Sequence, residues 1–349
     1  MTKRRTESGR AVGALPPPLQ VAAFTAGATA PGARFRVRQH IGLLATCRIA
    51  VTEHWPGLGA YPPANRLIRP AWLIGTLAQR LPQLIAASRT DVTLLQRELV
   101  ATLPTLEGLT RRPRLVDIDD AVHLFRGGIA ARHLARLADL VVVGNAWLAE
   151  VWRRWHPAVE ILPTAVDTGR YTVARLPERP VIGWIGTGGN LRYLRAIAPA
   201  LAAVVRRFPE IEVAVCSDRP PEIAELPVRY VPWSEPVEAG FLAAISIGVM
   251  PLDDGDWERG KCSFKMLQYL AAGRPVVVSP VGMNAELLRE AELGLAARTH
   301  QAWVEALSSL LADRAAAARM GGAGRALAER RYSVLALAPQ LADLLRRLA

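Results

Sequence analysis

Lys261 and Lys265 stand four residues apart in the run Arg259-Gly260-Lys261-Cys262-Ser263-Phe264-Lys265, and Gln268 follows three residues later. If a helix begins near Gly260, both lysines and Gln268 fall within an arc of about 60°, beside an apolar face of Phe264, Leu267 and Ala271. If Ser263 caps the helix instead, Lys261 lies in the preceding loop and still reaches the same anion. In both arrangements the lysines repel each other until an anion such as a pyrophosphate sits between them, helped by the free N–H groups of a helix start. The competing reading is a solvated helix face that carries two lysines. Arg259 is a further candidate ligand for a diphosphate.

Other residues point to the same kind of chemistry. Gly186-Thr187-Gly188-Gly189-Asn190 follows the apolar run PVIGWI, where a phosphate-cradling turn would lie. It is not the dinucleotide fingerprint: Leu191 stands where the third glycine belongs, and no acidic residue ends a strand about 20 residues on. NAD is therefore not expected. A tight turn whose glycines only satisfy backbone geometry is the alternative. Asp117, Asp119, Asp120 and His123 cluster at another strand end, where they can bind a metal, act as a base or orient an acceptor hydroxyl; alternatively, Asp119 or Asp120 caps the next helix. Arg34, Arg36 and Arg38 alternate and cannot share one helical face, so Arg36 is taken as the one that reaches the ligand. Asn145 follows the VVVG run and can line a cleft. Glu235, after VPW, touches a base or ribose, or is a surface-loop glutamate.

The elements that must position these groups are legible as alternation. LQVAAFTA, RIAVTEHW, DVTLLQREL, RPRLVDIDDAVH, ADLVVVGN and VEILPTAVD contain strand candidates separated by helical stretches. The pattern pauses near RLPERP and restarts with PVIGWIGTGGN, IEVAVCSD, VRYVPW, ISIGVMPL and RPVVVSP. Alternation of this kind builds parallel sheets, and 349 residues exceed what one core usually organises. The expected fold is α/β, with two Rossmann-like domains facing across a cleft, one over 19–177 and one over 178–349, after a flexible tail over 1–18. Ligands bind beyond the carboxyl ends of such strands, where Leu252–Ser263 falls. The last segment, RALAERRYSVLALAPQLADLLRRLA, is helical and either closes the second domain or crosses back to the first.

Composition narrows the partners. Lys and Arg number 43 against 31 Asp and Glu, a net charge of +12. Such a field attracts nucleotide diphosphates, anionic lipid or nucleic acid, although single arginines on helix surfaces, as in RRFPEIEV and LLRRLA, also serve to solvate helices. There is no dense Lys/Arg stripe interleaved with aromatics, which argues against nucleic acid. Cys47, Cys216 and Cys262 are isolated and indicate neither a disulfide framework nor a metal site. The first residues lack the apolar core of a signal peptide, and no run reaches about 18 apolar residues, so a cytoplasmic protein is expected. Residues 62–88 are apolar and arginine-flanked, with Pro70 and Pro82 breaking the pattern. Trp72, Leu73 and Ile74 near Arg66, Arg69 and Arg80 read either as a helix lying on the inner face of an anionic membrane or as core packing.

The block KMLQYLAAGRPVVVSPVG, preceded by ISIGVMPL, resembles the two-domain GT-B glycosyltransferases, especially the large retaining group known as glycosyl transferases group 1. The resemblance extends to GWIGT, VDIDDA and ARFRVRQ, and covers most of the chain from about residue 20. In that family the corresponding helix usually carries two glutamates, the second binding the donor ribose. Here Gly260 stands at the first position and Gln268 at the second. The RGKCSFK run is similar to a subgroup with lysines at these positions.

The resemblance implies a nucleotide-diphosphate sugar as donor substrate, with no resident cofactor or metal. It places Gly186, Thr187, Gly188 and Gly189 over the donor phosphates, and Arg259, Gly260, Lys261, Cys262, Ser263, Gln268 and Glu235 around the donor. Asp119, Asp120, His123 and Lys265 are then the catalytic candidates, and Arg36 and Asn145 the acceptor or cleft residues. The family often has histidine where this strand ends on aspartate, and His123 lies four residues on. The implied reaction is metal-independent, hexosyltransferase-like transfer with retention to a glycan, lipid or small molecule, as in cell envelope polysaccharide biosynthesis. Two other readings share the architecture: a catalytically silent nucleotide-sugar binding protein, which Gly260 would suit, and a nucleotide-sugar epimerase.

Overall fold

The computed structural model describes residues 16–224 and 226–349, so the tail expected over 1–18 lies, up to residue 15, outside the described residues. Among the described residues, twelve strands form two six-stranded sheets. The first contains β1 (Leu19–Phe24), β2 (Ile49–His54), β3 (Val92–Gln96), β4 (Arg114–Ile118), β5 (Leu140–Val143) and β6 (Val159–Ile161), in the order 2-1-3-4-5-6. The second contains β7 (Val181–Ile185), β8 (Glu212–Ser217), β9 (Val228–Pro232), β10 (Ile247–Met250), β11 (Val276–Val278) and β12 (Gly294–Ala296), in the order 12-11-10-7-8-9. Neighbouring strands are parallel throughout. This is the α/β architecture of two parallel sheets that the alternation predicts.

Parallel sheets need both faces covered, so their strands read as nearly continuous apolar runs. In β1, Val21 and Ala23 enter the core on one face, and Ala22 and Phe24 the core on the other. The face holding Val21 and Ala23 is closed by the last helix, Val334–Leu348, through Leu337, Leu341 and Leu345. The C-terminal helix therefore crosses back to the first sheet. Its return runs beside the outward crossing, where Val166 and Ser333 form a bridge. β12 was not legible: it is three residues long and only partly buried.

Residues 62–88 differ from the expected broken pattern. Arg69–Ala87 is one helix of 19 residues. Pro70 sits in its first turn, where the missing N–H has no partner to lose, and the helix continues through Pro82 on its exposed face. Arg80 is fully buried, donating to the carbonyls of Thr25 (2.8 Å), His54 (3.2 Å) and Leu99 (3.2 Å).

In each sheet the strand order reverses at one point: between β1 and β3, and between β7 and β10. Crevices open at such points beyond the carboxyl ends of the strands, and the two sheets present these ends to each other. The helix Phe264–Ala271 is fixed at the second of them by Tyr269. Its hydroxyl donates to Val249 O (3.2 Å) and accepts from Ile185 N (3.0 Å), tying the helix across β10 and β7. A Cβ at Gly248 would meet this ring at 2.3 Å, so the strand needs glycine there.

Candidate functional site

A cavity of about 650 Å³ lies between the two sheets. Its first-domain wall includes Thr29, Phe35, Asp119, Asp120 and Thr164; its second-domain wall includes Gly186, Thr187, Lys261, Cys262, Ser263, Lys265 and Gln268. The structure thus brings the two lysines, two of the three aspartates and Gly186, Thr187 and Asn190 of the glycine turn to one place, while Gly188 and Gly189 do not line it.

The lysine segment takes a form between the two expected ones. A short helix, Asp256–Arg259, ends at Gly260, and Lys261 lies in the loop that follows. Ser263 occupies the N-cap position of Phe264–Ala271 in the left-handed region (φ 48°) and makes no side-chain cap. Lys265 therefore enters the cleft from the first turn. Its stem crosses Gly186, where a Cβ would stand 2.4 Å from Lys265 Cε, so this glycine serves close approach. Its ammonium lies 5.8 Å from the Trp184 ring centroid, and that of Lys261 lies 4.9 Å from Trp257. Burial, reinforced by Lys261, pushes the Lys265 ammonium down to about 8, with Asp120 opposing.

Across the cleft, burial and Asp119 push the Asp120 carboxyl up to about 6, against Arg97, Lys261 and Lys265. Gln96 donates to Asp119 Oδ1 (3.3 Å), and Arg97 Nη1 stands 3.8 Å from Asp120 Oδ2. Neither aspartate caps the following 3-10 helix, Val122–Gly128, which has no side-chain cap. Carboxylates facing ammonium groups across a cavity can hold a polar, partly anionic ligand with opposite demands at its two ends.

Several expected residues have other engagements. Asp117 and Arg36 form a buried pair (Nε–Oδ2 3.0 Å), with Arg36 also donating to Leu162 O (2.8 Å) and Thr164 Oγ1 (3.3 Å). Arg36 does not line the cavity; burial works against its charge and Asp117 outweighs it. His123 packs 5.5 Å from Trp147 and 6.0 Å from Trp155, outside the cavity lining, and burial pushes its pKa down. Arg259 pairs with Asp254 (3.0 Å). Glu235 begins the helix Glu235–Ala244 and pairs with Arg170 (2.7 Å), whose hydrogen bond holds its carboxyl below the usual range. It lines an adjoining cavity of about 520 Å³, with Arg34, Arg38 and Trp233. Gly188 and Gly189 lie in the turn after Thr187, but the Gly188 N–H is already taken by Asp218.

Asn145 joins the domains. Its side-chain oxygen caps the helix Ala146–Trp152 through Leu148 N (2.8 Å), while its amide donates to Arg259 O (3.1 Å) and Lys261 O (3.0 Å). The Cys262 thiol donates to Asp119 O (3.1 Å). The lysine loop is thus held by the first domain's strand ends as well as by its own sheet.

Sequence reasoning missed Tyr171 and Glu238. Gln268 donates to the Tyr171 hydroxyl (3.1 Å), which donates to Glu238 (2.9 Å); Trp233 Nε1 and Arg34 donate to the same carboxylate at 3.2 and 3.1 Å. Glu238 lies one helical turn after Glu235 and faces the cleft instead of solvent. That spacing was in the sequence; the direction of the helix was not.

Residues 179–313 match the family described as Glycosyl transferases group 1. No curated protein matches the chain in sequence. Among solved structures, HepE of Anabaena, in complex with UDP, superposes with a TM-score of 0.68 at 14% identity, covering 95% of this chain and 100% of that one; it is also known in complex with UDP-glucose. Sucrose-phosphate synthase from Thermosynechococcus elongatus gives 0.72 at 17% identity over 95% and 99%. WaaG, a glycosyltransferase involved in lipopolysaccharide biosynthesis, gives 0.65 at 13% identity over 93% and 99%. These likenesses establish the GT-B fold.

Proposed function

We propose that this chain transfers a sugar from a nucleotide-diphosphate sugar to an acceptor alcohol, with retention of configuration. The observation that carries the reading is the opposition of Lys261 and Lys265 to Asp119 and Asp120 across one interdomain cavity. In this reading the lysines neutralise the departing diphosphate as the glycosidic bond breaks. Charge compensation by fixed ammonium groups makes a divalent ion unnecessary. Asp120, whose carboxyl burial raises to about 6, and Asp119 orient the acceptor hydroxyl. Gln268, Tyr171 and Glu238 form a polar wall for the ribose. The binding of UDP and UDP-glucose by HepE supports a uridine donor as the first to try. A hexosyl donor, and a reaction carried out in the cytoplasm on an envelope glycan, complete the reading.

The test is a thermal-shift panel of nucleotide sugars, followed by detection of free nucleoside diphosphate with and without EDTA. Stabilisation by a nucleotide sugar that disappears in Lys265→Ala supports the donor site, and turnover unchanged by EDTA supports metal independence. If no nucleotide sugar stabilises the chain, the proposal fails. Gly260, where the resemblance expects a glutamate, favours one second reading, a donor-binding protein without turnover; saturable donor binding with no diphosphate release under any acceptor would select it.

A further inference from the structure

The helix Arg69–Ala87 buries Thr76 and Arg80 beside Leu84 and Ala87, and exposes a run of apolar groups. Leu67, just before it, is 89% exposed, Ile74 70%, Leu81 49% and Ile85 74%. Ile74, Leu81 and Ile85, at spacings of seven and four, share one face of the helix; Leu67 lies in the 3-10 turn Arg66–Ile68 that leads into it, and Ala71, Ala78 and Pro82, also exposed, fill the gaps. The buried face holds Thr76, Arg80, Leu84 and Ala87. An ordinary surface helix of a water-soluble domain has the opposite arrangement, and a contiguous apolar face of this kind marks a contact.

Charge selects the partner. No acidic residue occurs between Glu53 and Asp91, whereas Arg66, Arg69, Arg80 and Arg89 do. With Arg80 turned inward, Arg66 stands at the start of the face and Arg89 at its end, joined there by Arg111, which donates to Ser88 O (2.7 Å). The Asp91 carboxylate is engaged by Gln20 N (2.8 Å). No residue of the face lines either cavity described above, so neither cavity continues onto it. A planar surface, by contrast, touches the whole length of about 28 Å given by 1.5 Å per residue. No described helix is long and apolar enough to cross a membrane, which leaves an interfacial contact.

The segment that leads into the face is anchored at the carboxyl end of the first sheet, the end that faces the cleft. Ala60 N donates to Ala26 O and Ala101 N to Ala60 O, both at 2.9 Å, pinning the segment before the helix across the loops that follow β1 and β3. Trp72 Nε1 donates to Leu58 O (3.2 Å), tying the helix to that segment. The Tyr61 hydroxyl there is pushed up by burial; Arg97 opposes this, and Asp119 and Asp120 add to it.

We propose that the outward face of the helix Arg69–Ala87 docks the chain on an anionic lipid bilayer, with the acceptor end of the cleft against the headgroups. The acceptor class this selects is an alcohol carried on a lipid. That selection rests on the transferase reading above; the docking does not.

The experiment is co-sedimentation of the full chain with vesicles of phosphatidylcholine alone or with one-third phosphatidylglycerol. Binding to the anionic vesicles is expected to be at least about tenfold tighter, weakening with salt. Ile74→Gln/Leu81→Gln/Ile85→Gln should lose at least about tenfold, and Leu67→Gln alone a few fold, because buried apolar area adds to the electrostatic term. Both variants should keep the far-UV circular dichroism and the nucleotide-sugar thermal shift of the parent, since the replaced side chains are exposed. If the triple variant misfolds, Leu67→Gln carries the comparison. Equal binding to both vesicle types, no binding, or variants that bind like the parent overturn the docking. So does a parent that is dimeric in solution and becomes monomeric in the triple variant, which would make the face a protein contact. Vesicle binding without any donor shift leaves docking standing and removes the transferase reading.

Discussion

The Cα of Gly260 lies so close to Ala121 that a Cβ added there would stand 2.6 Å from the Ala121 Cβ and 2.9 Å from its amide nitrogen. The lysine loop of one domain and the strand end of the other thus meet with no room for a side chain. Gly260 fits this contact; the glutamate that the resemblance expects does not. Gly260→Ala should cost about 1–3 kcal/mol in denaturant unfolding, the usual size of overpacking. Gly260→Glu should lower turnover further, because the domains must part to admit it. A Gly260→Glu variant as stable as the parent and faster in sugar transfer would refute this account.

Lys265 makes the pH dependence of donor binding predictable. Its folded pKa of about 8 lies below the ordinary 10.5 because burial disfavours the ammonium. The cost of keeping it charged is fully present below pH 8 and is relieved as pH rises towards 10.5, so stability rises through that window. Donor affinity moves the other way, falling above about pH 8 as the charge is lost. Lys265→Arg should carry the alkaline limb beyond the measurable range, while Lys265→Ala should cut turnover about 10²–10³-fold at every pH. Titration calorimetry of the donor from pH 6 to pH 10 reads the limb, and release of nucleoside diphosphate reads the turnover; an alkaline limb that persists unchanged in Lys265→Arg assigns it to another group.

How far these groups could be foreseen follows from what fixes each one. Strands covered on both faces announce themselves as apolar runs, so the sheets were legible, with the short edge strand Gly294–Ala296 as the exception. The face of Lys265 and Gln268 follows from helical spacing, and both reach the cleft. The left-handed Ser263 that aims the helix has no sequence signal, because glycine or asparagine is the usual resident of that conformation. Which of Arg34, Arg36 and Arg38 goes inward depends on Asp117, 81 residues beyond Arg36, and alternation alone cannot supply that partner. The helix Arg69–Ala87 shows the same limit: its apolar residues and arginines could be counted, but the sequence left open whether they met a membrane or a core, and the fold buries Arg80.

Asp120 should be more stabilising as asparagine. Its folded pKa of about 6 lies above the ordinary 3.8, first through burial and then through Asp119. A carboxyl raised in this way contributes stability below the unfolded value, and loses it as pH rises through the folded one. At pH 7 the charged form is a cost, although 31% of the side-chain surface is exposed, which keeps the effect small. Asp120→Asn should therefore raise Tm at pH 7 by roughly 1–2 °C, the response to about 1 kcal/mol at this size, and by less at pH 4. Turnover should fall in the same variant if the carboxylate orients the acceptor. Equal Tm gains at pH 4 and pH 7 would show that charge has no part in it.

Arg36 and Asp117 test whether the first-domain wall depends on a pair that never touches the cavity. The guanidinium reaches Asp117, Leu162 O and Thr164 Oγ1, so it ties the end of β4 to the segment after β6, and Thr164 itself lines the cleft. Removing one partner leaves a buried charge without its counterion, which costs about 3–5 kcal/mol, whereas removing both is far milder. Asp117→Ala and Arg36→Met should each unfold at correspondingly lower denaturant. The double variant should recover much of that loss, because neither charge then remains buried. If either single variant binds donor normally once folded, the pair is confirmed as a support of the wall and not a ligand of the sugar nucleotide. Loss of donor binding in a variant whose unfolding midpoint is unchanged would instead return Arg36 to the cleft.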